Sequence, residues 1–390
     1  MEIFCRIFFS FVSFSYLVSC GISNDDIKPK DTLPMFNIEL KENEGREIKE
    51  FDTFFSKLNV IPLKVKDSSV IASVDKIEFR DSTFIVLDKK FSNLYKFNYL
   101  GHLLTQYGKV GLGPGEYKQI DDFEIKGNFV YVLSNNNRAI FVYSLQSGKF
   151  IKKIVTNKFG SSIAVLSGGN ILLHSNYNNI NDEKDYNIYL LDENGTVLQG
   201  YFPFNPEKSS MIISFSGFLV KNYNSKVFFC NAFDETVYVF NEHDNTFEPY
   251  SFVEINNDFI KENKEDHNRI ISERTLLDPT LRFIGNKFFE NDDYIIFSYY
   301  SGKVRKLSFY GKKEKKILIL RKGVKDPIIN LINDIQFVGG KKFVFSISKE
   351  VIDNMEKEHP EKYAQLGAVI KNVLENNPEA EYFVLVANKD

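Results

Sequence analysis

A hairpin signal recurs along this 390-residue chain at nearly constant spacing, and no other feature constrains the fold as much. The turn glycines Gly101, Gly148 and Gly195 follow one another at intervals of 47 residues, and related turns lie at Asn245 and Gly311. Each turn joins two short apolar segments, which is the pattern of a β-hairpin with a residue at positive φ. With two further apolar segments upstream, each unit holds about four strands in about 45 residues, the length of a β-propeller blade.

The strand count predicts how the ring closes. Five units are complete, whereas the sixth, which contains "KKFVFSIS" (341–348), is not. One spare strand remains at each end of the chain, "LNVIPLKV" (58–65) and "EAEYFVLVAN" (379–388). An open ring would leave unpaired strand edges. We therefore predict an all-β fold, a six-bladed β-propeller whose last blade is closed by the N-terminal strand.

Two charged segments interrupt the strand pattern. Residues 257–277 and 350–376 carry apolar residues at helical spacing. The first segment also explains why the turns at Asn245 and Gly311 lie 66 residues apart. We predict two helical insertions in a propeller domain that spans residues 36–390.

The first twenty residues predict export. The apolar run Ile7–Val18 has the length of a signal-peptide core and is short for a membrane span. It ends in Leu17–Cys20, which resembles the lipobox of bacterial lipoproteins, in which the cysteine carries the lipid. An ordinary secretory signal is the alternative. We expect a lipoprotein signal peptide at 1–20, lipidation of Cys20 and a flexible tether at 21–35.

The tether holds an acidic stretch, Asn24–Asp26, that resembles the signal for display on the outer cell surface. A solvated linker explains it equally well. The expected location is therefore the outer membrane, with the protein facing either the periplasm or the cell surface.

Charge and cysteine content exclude other classes. With 49 basic and 52 acidic residues, the net charge of −3 gives no electrostatic footprint for nucleic acid. Because Cys5 and Cys20 lie in the leader, Cys230 has no intrachain partner and is expected to be a small buried apolar residue. We expect a monomer that reaches the membrane only through its lipid.

The glycine-rich stretch "YGKVGLGPGEY" (107–117) invites comparison with a phosphate-binding loop. Such a loop requires a helix after its glycines, but here a strand follows. Gly113–Glu116 fits a type II turn, with proline second and glycine third. We predict a connector between the first and second blades, with Glu116 and Tyr117 near the channel.

The chain resembles the six-bladed β-propeller lipoproteins of Gram-negative bacteria, which are related to NHL-repeat and TolB-like propellers. The resemblance rests on Leu17–Cys20, the first blade from "VDKIEF" onward, the "GLGPGEY" that follows it and the "NNPEAEYFVLV" tail. It covers about residues 50–390, although three residues separate Pro378 from Tyr382 where the family pattern is tighter. It implies a fold and an extracytoplasmic address, but no activity.

Candidate ligand residues lie in the loops of one face. In a propeller, the loops between second and third strands share a face with those that lead to the next blade. Amides and tyrosines there suit sugar or peptide recognition, although Asn and Asp also favour turns that bind nothing. The candidate ligand-binding residues are Asp88, Glu116, Tyr117, Asn135, Arg138, His174, Tyr177, Asn231, Asp234 and Tyr299.

The sequence contains no recognisable catalytic set. The five histidines form no HExxH, no GxSxG occurs, and 176–185 is rich in oxygen ligands but lacks the spacing of a calcium loop. The pair Asp121–Asp122 invites a glycosidase interpretation, but adjacent strand residues point to opposite faces. We therefore expect no catalytic residues, no metal and no cofactor.

These observations favour a lipid-anchored extracytoplasmic binding or scaffold module, with a peptide, glycan or protein partner at the loop face. The alternative is a hydrolase or lyase that acts on a glycan or peptide with carboxylates at the propeller channel. Buried carboxylates that converge with a His or Arg at the channel mouth would favour the enzyme. A channel filled by Phe and Tyr would favour binding.

Overall fold

The computed structural model shows a β-propeller of six blades around a central channel. The leader and the proposed lipid site Cys20 lie outside the described residues. The structure describes residues 29–30, 32–40, 46–65, 70–178, 185–209, 215–255, 258–272, 278 and 281–389.

Each blade contains four antiparallel strands, of which the first lines the channel. Three strands precede the first blade: β1 (Phe36–Glu39), β2 (Arg46–Glu47) and β3 (Leu58–Pro62). Blade 1 consists of β4 (Lys76–Arg80), β5 (Thr83–Asp88), β6 (Asn93–Asn98) and β7 (Leu103–Gln106). Blade 2 consists of β8 (Asp122–Lys126), β9 (Phe129–Ser134), β10 (Ala139–Ser144) and β11 (Phe150–Val155). Blade 3 consists of β12 (Ser162–Val165), β13 (Ile171–His174), β14 (Asp185–Leu191) and β15 (Val197–Phe204).

The remaining strands build blades 4 to 6 in the same order. Blade 4 contains β16 (Phe218–Lys221), β17 (Val227–Cys230), β18 (Thr236–Asn241) and β19 (Thr246–Glu254). Blade 5 contains β20 (Arg282–Glu290), β21 (Tyr294–Ser301), β22 (Val304–Gly311) and β23 (Lys316–Leu320). Blade 6 contains β24 (Asp334–Gly339), β25 (Lys342–Ser348) and β26 (Tyr382–Asn388).

The N-terminal strand closes the ring, as the strand count predicted. Blade 6 has the order β24-β25-β26-β3, so strands from both ends of the chain form one sheet. β3 runs antiparallel to β26, with Val60 opposite Leu385 and Ile61 opposite Val384. Val60 and Ile61 are buried. The first and last parts of the chain are therefore held together by both backbone pairing and apolar packing.

The evenly spaced turn glycines also join neighbouring blades. Gly101, Gly148 and Gly195 all have positive φ, as the hairpin signal predicted. A Cβ on Gly101 would lie 1.7 Å from the carbonyl oxygen of Pro62, and a Cβ on Gly195 would lie 2.2 Å from that of Val155. Each of these two glycines thus packs against the outer strand of the preceding blade, where no side chain fits.

The sequence did not predict β1 and β2, which add a fifth strand to two blades. β1 pairs in parallel with β19 of blade 4, and β2 pairs in parallel with β23 of blade 5. Just before them, the Lys30 ammonium lies 2.7 Å from carboxylate oxygens of both Asp244 and Glu248 on blade 4. The described parts of the N-terminal segment therefore follow the outer rim from blade 4 to blade 6.

Both predicted helical insertions are present. The first, between blades 4 and 5, holds α2 (Asp258–Asn263) and α3 (His267–Ser272), and the second lies between β25 and β26. Two short helices, α1 and α4, were not predicted. The helices are α1 (Phe51–Phe54), α2 (Asp258–Asn263), α3 (His267–Ser272), α4 (Pro327–Leu331), α5 (Lys349–Glu358), α6 (Pro360–Ala364) and α7 (Ala368–Glu375), and Asn135–Asn137 form a 3₁₀ turn. Among the described residues, no helix is long and apolar enough to cross a membrane.

The glycine-rich stretch is a connector, as predicted. It leads from β7 of blade 1 to β8 of blade 2, and no helix follows it. The Glu116 amide donates to the Gly113 carbonyl at 3.0 Å, and Gly115 has φ +72°. This is the hydrogen bond and the positive φ that a type II turn with Pro114 second requires.

Candidate functional site

The first strands of the blades surround a cavity of about 830 Å³ in the central channel. Apolar rings such as Phe79 and Phe337 line it where these strands end. Elsewhere its wall is charged, with both signs present, so the channel is not plugged by aromatic residues. The charged and amide side chains used below are Lys76, Glu78, Asp122, Glu124, Lys221, Lys287, Asp334 and Gln336.

Lys76 is the centre of a cluster that joins blades 1 and 2. Its Nζ lies 2.9 Å from Asp122 Oδ1 and 3.1 Å from Glu78 Oε1. It also donates to the Phe123 carbonyl at 2.6 Å. Burial opposes the charge on Lys76, but the carboxylates of Asp122, Glu78 and Glu124 outweigh it and raise the pKa of Lys76. The side chain therefore stays cationic and holds the two blades together at the channel wall.

Glu124 lies beside this cluster and is nearly buried. Its Oε1 is 2.9 Å from Lys221 Nζ, which also donates to the Val165 carbonyl at 2.6 Å. Burial and the neighbouring Glu78 raise the pKa of Glu124 to about 8. Burial likewise raises the pKa of Glu78. Two carboxyls in one low-dielectric wall thus compete for ionisation, and this competition favours the protonated form of Glu124.

Of Lys76, Lys221 and Lys287, the last has the longest contacts with its oxygen partners. Its Nζ reaches the Asp75 carbonyl, Gln336 Oε1 and Asp334 Oδ2 only at 3.3, 3.4 and 3.5 Å, which are long contacts for an ammonium. Asp334 is shared, because its Oδ1 lies 2.9 Å from Arg305 Nη2. Burial lowers the pKa of Lys287 against the opposing effect of Asp334, and the nearby Arg305 adds to the lowering.

Five of the predicted ligand residues interact with their own or adjacent loops. Asp88 is buried and accepts from two backbone amides and a serine hydroxyl. Glu116 accepts from an amide of its own turn, and Tyr117 is buried and donates to a backbone carbonyl. Asn135 accepts from a backbone amide at 3.0 Å, and the Arg138 guanidinium lies 4.6 Å from the centre of an aromatic ring. Glu116 and Tyr117 do not line the channel cavity.

Two more predicted residues are buried side chains away from both cavities. His174 has its Nδ1 within 3.3 Å of the Ser161 and Ser162 hydroxyls, and burial lowers its pKa to about 3. Tyr299 packs in the core of blades 4 and 5, with Lys306 Nζ 5.7 Å from its ring centre. The histidine is therefore neutral at physiological pH.

The structure brings the last three predicted residues together. Tyr177, Asn231 and Asp234 line a second cavity of about 350 Å³, which we call the blade 3–4 cavity. It lies between the end of β15, the loop after β17 and the turn between α2 and α3. Its lining residues are Tyr177, Phe202, Pro203, Phe204, Asn205, Lys208, Ser209, Asn231, Ala232, Asp234, Lys264, Glu265 and His267.

None of the ligand residues predicted from the sequence lies in the charged channel wall. The available signal was the alternation of charges in the first strands, Lys76 with Glu78 and Asp122 with Glu124, two residues apart and so on one face. Of the acidic pair considered for a glycosidase, Asp122 contacts Lys76 in the channel, while Asp121 accepts from a backbone amide of the next loop. The two carboxylates therefore do not act on one point.

Within the described ranges, no group of three or more His, Cys, Asp or Glu side chains is arranged to hold a metal ion. Cys230 is a buried free thiol, as expected from the sequence, and burial raises its pKa. Among the described residues, the two cavities are therefore the candidate ligand sites.

Comparison with known proteins shows the same fold. A candidate exported protein of Bacteroides fragilis superposes with a TM-score of 0.74 at 16% identity, over 91% of this chain and 99% of its own. A member of the DUF4221 family from Bacteroides vulgatus gives a TM-score of 0.54 at 13% identity, over 90% of this chain and 99% of its own. No curated protein matches the sequence. The profile of DUF4934, a domain of unknown function, matches residues 34–380, and the chain therefore belongs to the DUF4934 family.

Proposed function

We propose that the protein is an extracytoplasmic binding protein that takes a small zwitterionic ligand, of the amino acid or short-peptide class, into its central channel. The observation that carries the proposal is the cavity of about 830 Å³ with both signs of charge in its wall. A large concave site with convergent polar groups and shifted pKa values is where a ligand is expected.

The wall disfavours the charged form of one cationic and one acidic group. Lys287 has only contacts of 3.3 Å or longer, and burial lowers its pKa. Glu124 has a pKa raised to about 8 by burial and by Glu78. A ligand carboxylate beside Lys287 and a ligand ammonium beside Glu124 would each stabilise a charged form that the empty wall disfavours. A zwitterion supplies both groups at once, whereas a neutral sugar supplies neither.

Binding is expected to depend on Lys287 and Glu124 through different ends of the ligand. Isothermal titration with dipeptides, their N-acetylated forms and their C-amidated forms tests this on the full-length protein. Lys287→Met should weaken dipeptide binding by about tenfold or more, and Glu124→Gln should do likewise, because each removes a charge-assisted contact. Lys357→Met, a change at an exposed lysine of α5, is the control and should bind normally.

The blocked ligands make the result specific. Amidation removes the ligand carboxylate, so an amidated dipeptide should bind the wild-type protein and Lys287→Met equally weakly. Acetylation should likewise erase the difference between wild type and Glu124→Gln. Dipeptides that bind both variants as tightly as the wild type would exclude the channel as their site.

A second candidate is a hydrolase or lyase, and the raised pKa of Glu124 is the observation that favours it. A carboxyl that keeps its proton near neutral pH is able to act as a general acid. Against it, Glu78, Asp122 and Glu124 of the channel wall pair with lysines, and no described histidine lines this cavity. Mass spectrometry of dipeptides after long incubation separates the two: intact ligand supports binding, and cleavage that Glu124→Gln abolishes supports the enzyme.

Attachment to the outer membrane through a lipid is part of the proposal. It is supported by the lipobox-like Leu17–Cys20, by the resemblance to propeller lipoproteins and by the fold shared with a candidate exported protein. Cys20→Ser should release the protein from the membrane fraction and abolish incorporation of labelled fatty acid. A wild-type protein that incorporates no label, together with a variant that stays in the membrane fraction, would contradict the anchor.

A further inference from the structure

We propose that the blade 3–4 cavity binds a single saccharide unit, at a site separate from the central channel. None of the described residues lines both cavities. The volume of about 350 Å³ is at the lower end of small-molecule sites, so it suits one ring rather than an extended peptide. The inference does not depend on the zwitterion proposed for the channel.

The cavity wall contains strained aromatic residues. Tyr177, Phe202 and Phe233 have φ values of +61°, +56° and +61°, and no other aromatic residue in the described ranges has a positive φ. Tyr177 and Phe202 line the cavity, and the ring centre of Phe233 lies 5.6 Å from that of the lining residue His267. Bulky residues rarely adopt this conformation, which costs on the order of 1–3 kcal/mol each. Tyr177 and Phe202 thus hold, at the cavity wall, a backbone conformation that their bulky side chains disfavour.

A hydrogen-bond chain fixes the orientation of Asn231. The Ala232 amide donates to Tyr177 Oη, which in turn donates to Asn231 Oδ1 at 3.1 Å. Asn187 Nδ2 also donates to Asn231 Oδ1, and its own Oδ1 is fixed because it accepts from the Tyr177 amide. Since Oδ1 of Asn231 already has two donors, its Nδ2 is the free end, and no described residue accepts from it.

Asp234 supplies the matching acceptor. Its Oδ1 accepts from the amides of Glu235 and Thr236, whereas no described residue donates to its Oδ2. Burial raises the pKa of Asp234 against the opposing effect of Lys264. Asn231 and Asp234 both line the cavity, so a free donor and a free acceptor are presented from one short loop.

This combination fits the chemistry of a sugar ring. A pyranose has an apolar C–H face that packs on aromatic side chains, and Tyr177, Phe204 and His267 line this cavity. Burial lowers the pKa of His267 to about 4, so this ring is neutral and stacks as an uncharged surface. Each sugar hydroxyl both donates and accepts, and two adjacent hydroxyls therefore pair with the Asn231 amide and the Asp234 carboxylate.

Two nearly isosteric variants test the site with little effect on the fold. Asp234→Asn keeps an oxygen for the Glu235 and Thr236 amides but removes the free acceptor. Asn231→Asp keeps Oδ1 for Tyr177 but removes the free donor. Saturation-transfer NMR of the full-length protein with D-glucose, D-galactose, D-mannose and N-acetyl-D-glucosamine, each at about 10 mM, should detect binding of at least one. Each variant should weaken that binding by about tenfold or more.

The matched control is Asp192→Asn. Asp192 caps an exposed hairpin in the same manner, accepting from the amides of Asn194 and Thr196 at 2.9 and 2.8 Å, and it lines neither cavity. It should bind the sugar normally, as should the channel variant Lys287→Met. The proposal is overturned if none of the sugars binds, or if folded Asn231→Asp binds as well as the wild type. Loss of dipeptide binding in Lys287→Met with sugar binding intact separates the two cavities.

Discussion

Removal of residues 50–66 is expected to unfold the whole propeller in one transition rather than to shorten one end. The deletion takes away β3, which forms the outer edge of blade 6 and contacts blade 1 through Gly101. It also removes the buried rings of Phe51 and Phe55. Each large apolar side chain that is lost from a core costs about 1.5–3 kcal/mol, and a whole domain has only about 5–15 kcal/mol of stability.

Thermal unfolding followed by circular dichroism measures this effect. A single point variant, Gly101→Ala, tests the contact between blade 1 and β3 without a deletion. The added Cβ would lie 1.7 Å from the Pro62 carbonyl oxygen of β3. Gly127→Ala is the matched control: Gly127 also has positive φ, but a Cβ there would meet nothing within 4 Å. In both variants the left-handed backbone conformation should lower the free energy of unfolding by about 1 kcal/mol. Only in Gly101→Ala should the steric clash lower it by several kcal/mol more. Equal melting temperatures for the two variants would show that the contact between Gly101 and β3 does not contribute to stability.

Glu124→Gln is expected to gain stability relative to the wild type as the pH rises from about 5 to 9. Burial and Glu78 raise the pKa of Glu124 to about 8 in the folded protein, from 4.5 for an ordinary glutamate. The folded state therefore binds the proton more tightly than the unfolded state. The resulting stability is complete below the unfolded pKa and is lost as the pH rises through the folded pKa. Glutamine imitates the protonated carboxyl and loses nothing over this window.

The expected change in the stability difference is a few kcal/mol, since one pKa unit corresponds to about 1.4 kcal/mol. Urea unfolding of both proteins at several pH values measures it, and titrations elsewhere in the chain cancel in the difference. The titration of Glu78 does not cancel, because its carboxyl lies in the same wall and interacts with that of Glu124. The measured pH dependence therefore belongs to the Glu78–Glu124 pair. Glu358→Gln, at an exposed site of α5, should show a constant difference. The same constancy for Glu124→Gln would contradict the raised pKa.

The ring could be predicted because its repeats are local. A hairpin such as the one at Gly195 joins strands that are adjacent in the chain, so its turn residue and its apolar flanks lie within one short window. β3 and β26 lie far apart in the sequence, but one incomplete blade and one spare strand at each end of the chain indicated that these strands complete blade 6. In contrast, β1 and β2 have four and two residues and pair in parallel with distant strands, so no local pattern marks them.

The cavities were harder to predict than the fold. Tyr177, Asn231 and Asp234 were chosen as turn residues of one face, and the structure gives them a common cavity only because α2 and α3 lie beside it. Asp88 and Asn135 carry the same sequence signal but interact with the backbone of adjacent loops. The sequence cannot distinguish these cases, because which loop meets which depends on how neighbouring blades are packed.

The N-terminal segment also determines how the ring responds to mechanical force. A pull on that end reaches the ion pairs of Lys30 first, then β1 on blade 4, then β2 on blade 5, and only after these the strand that closes blade 6. Three successive attachments thus take up tension before it reaches the closure. Since β1 and β2 lie along strands of separate blades, two sheets take up the load in turn. A propeller held at this end is therefore loaded at blades 4 and 5 before the load reaches the strand that closes blade 6.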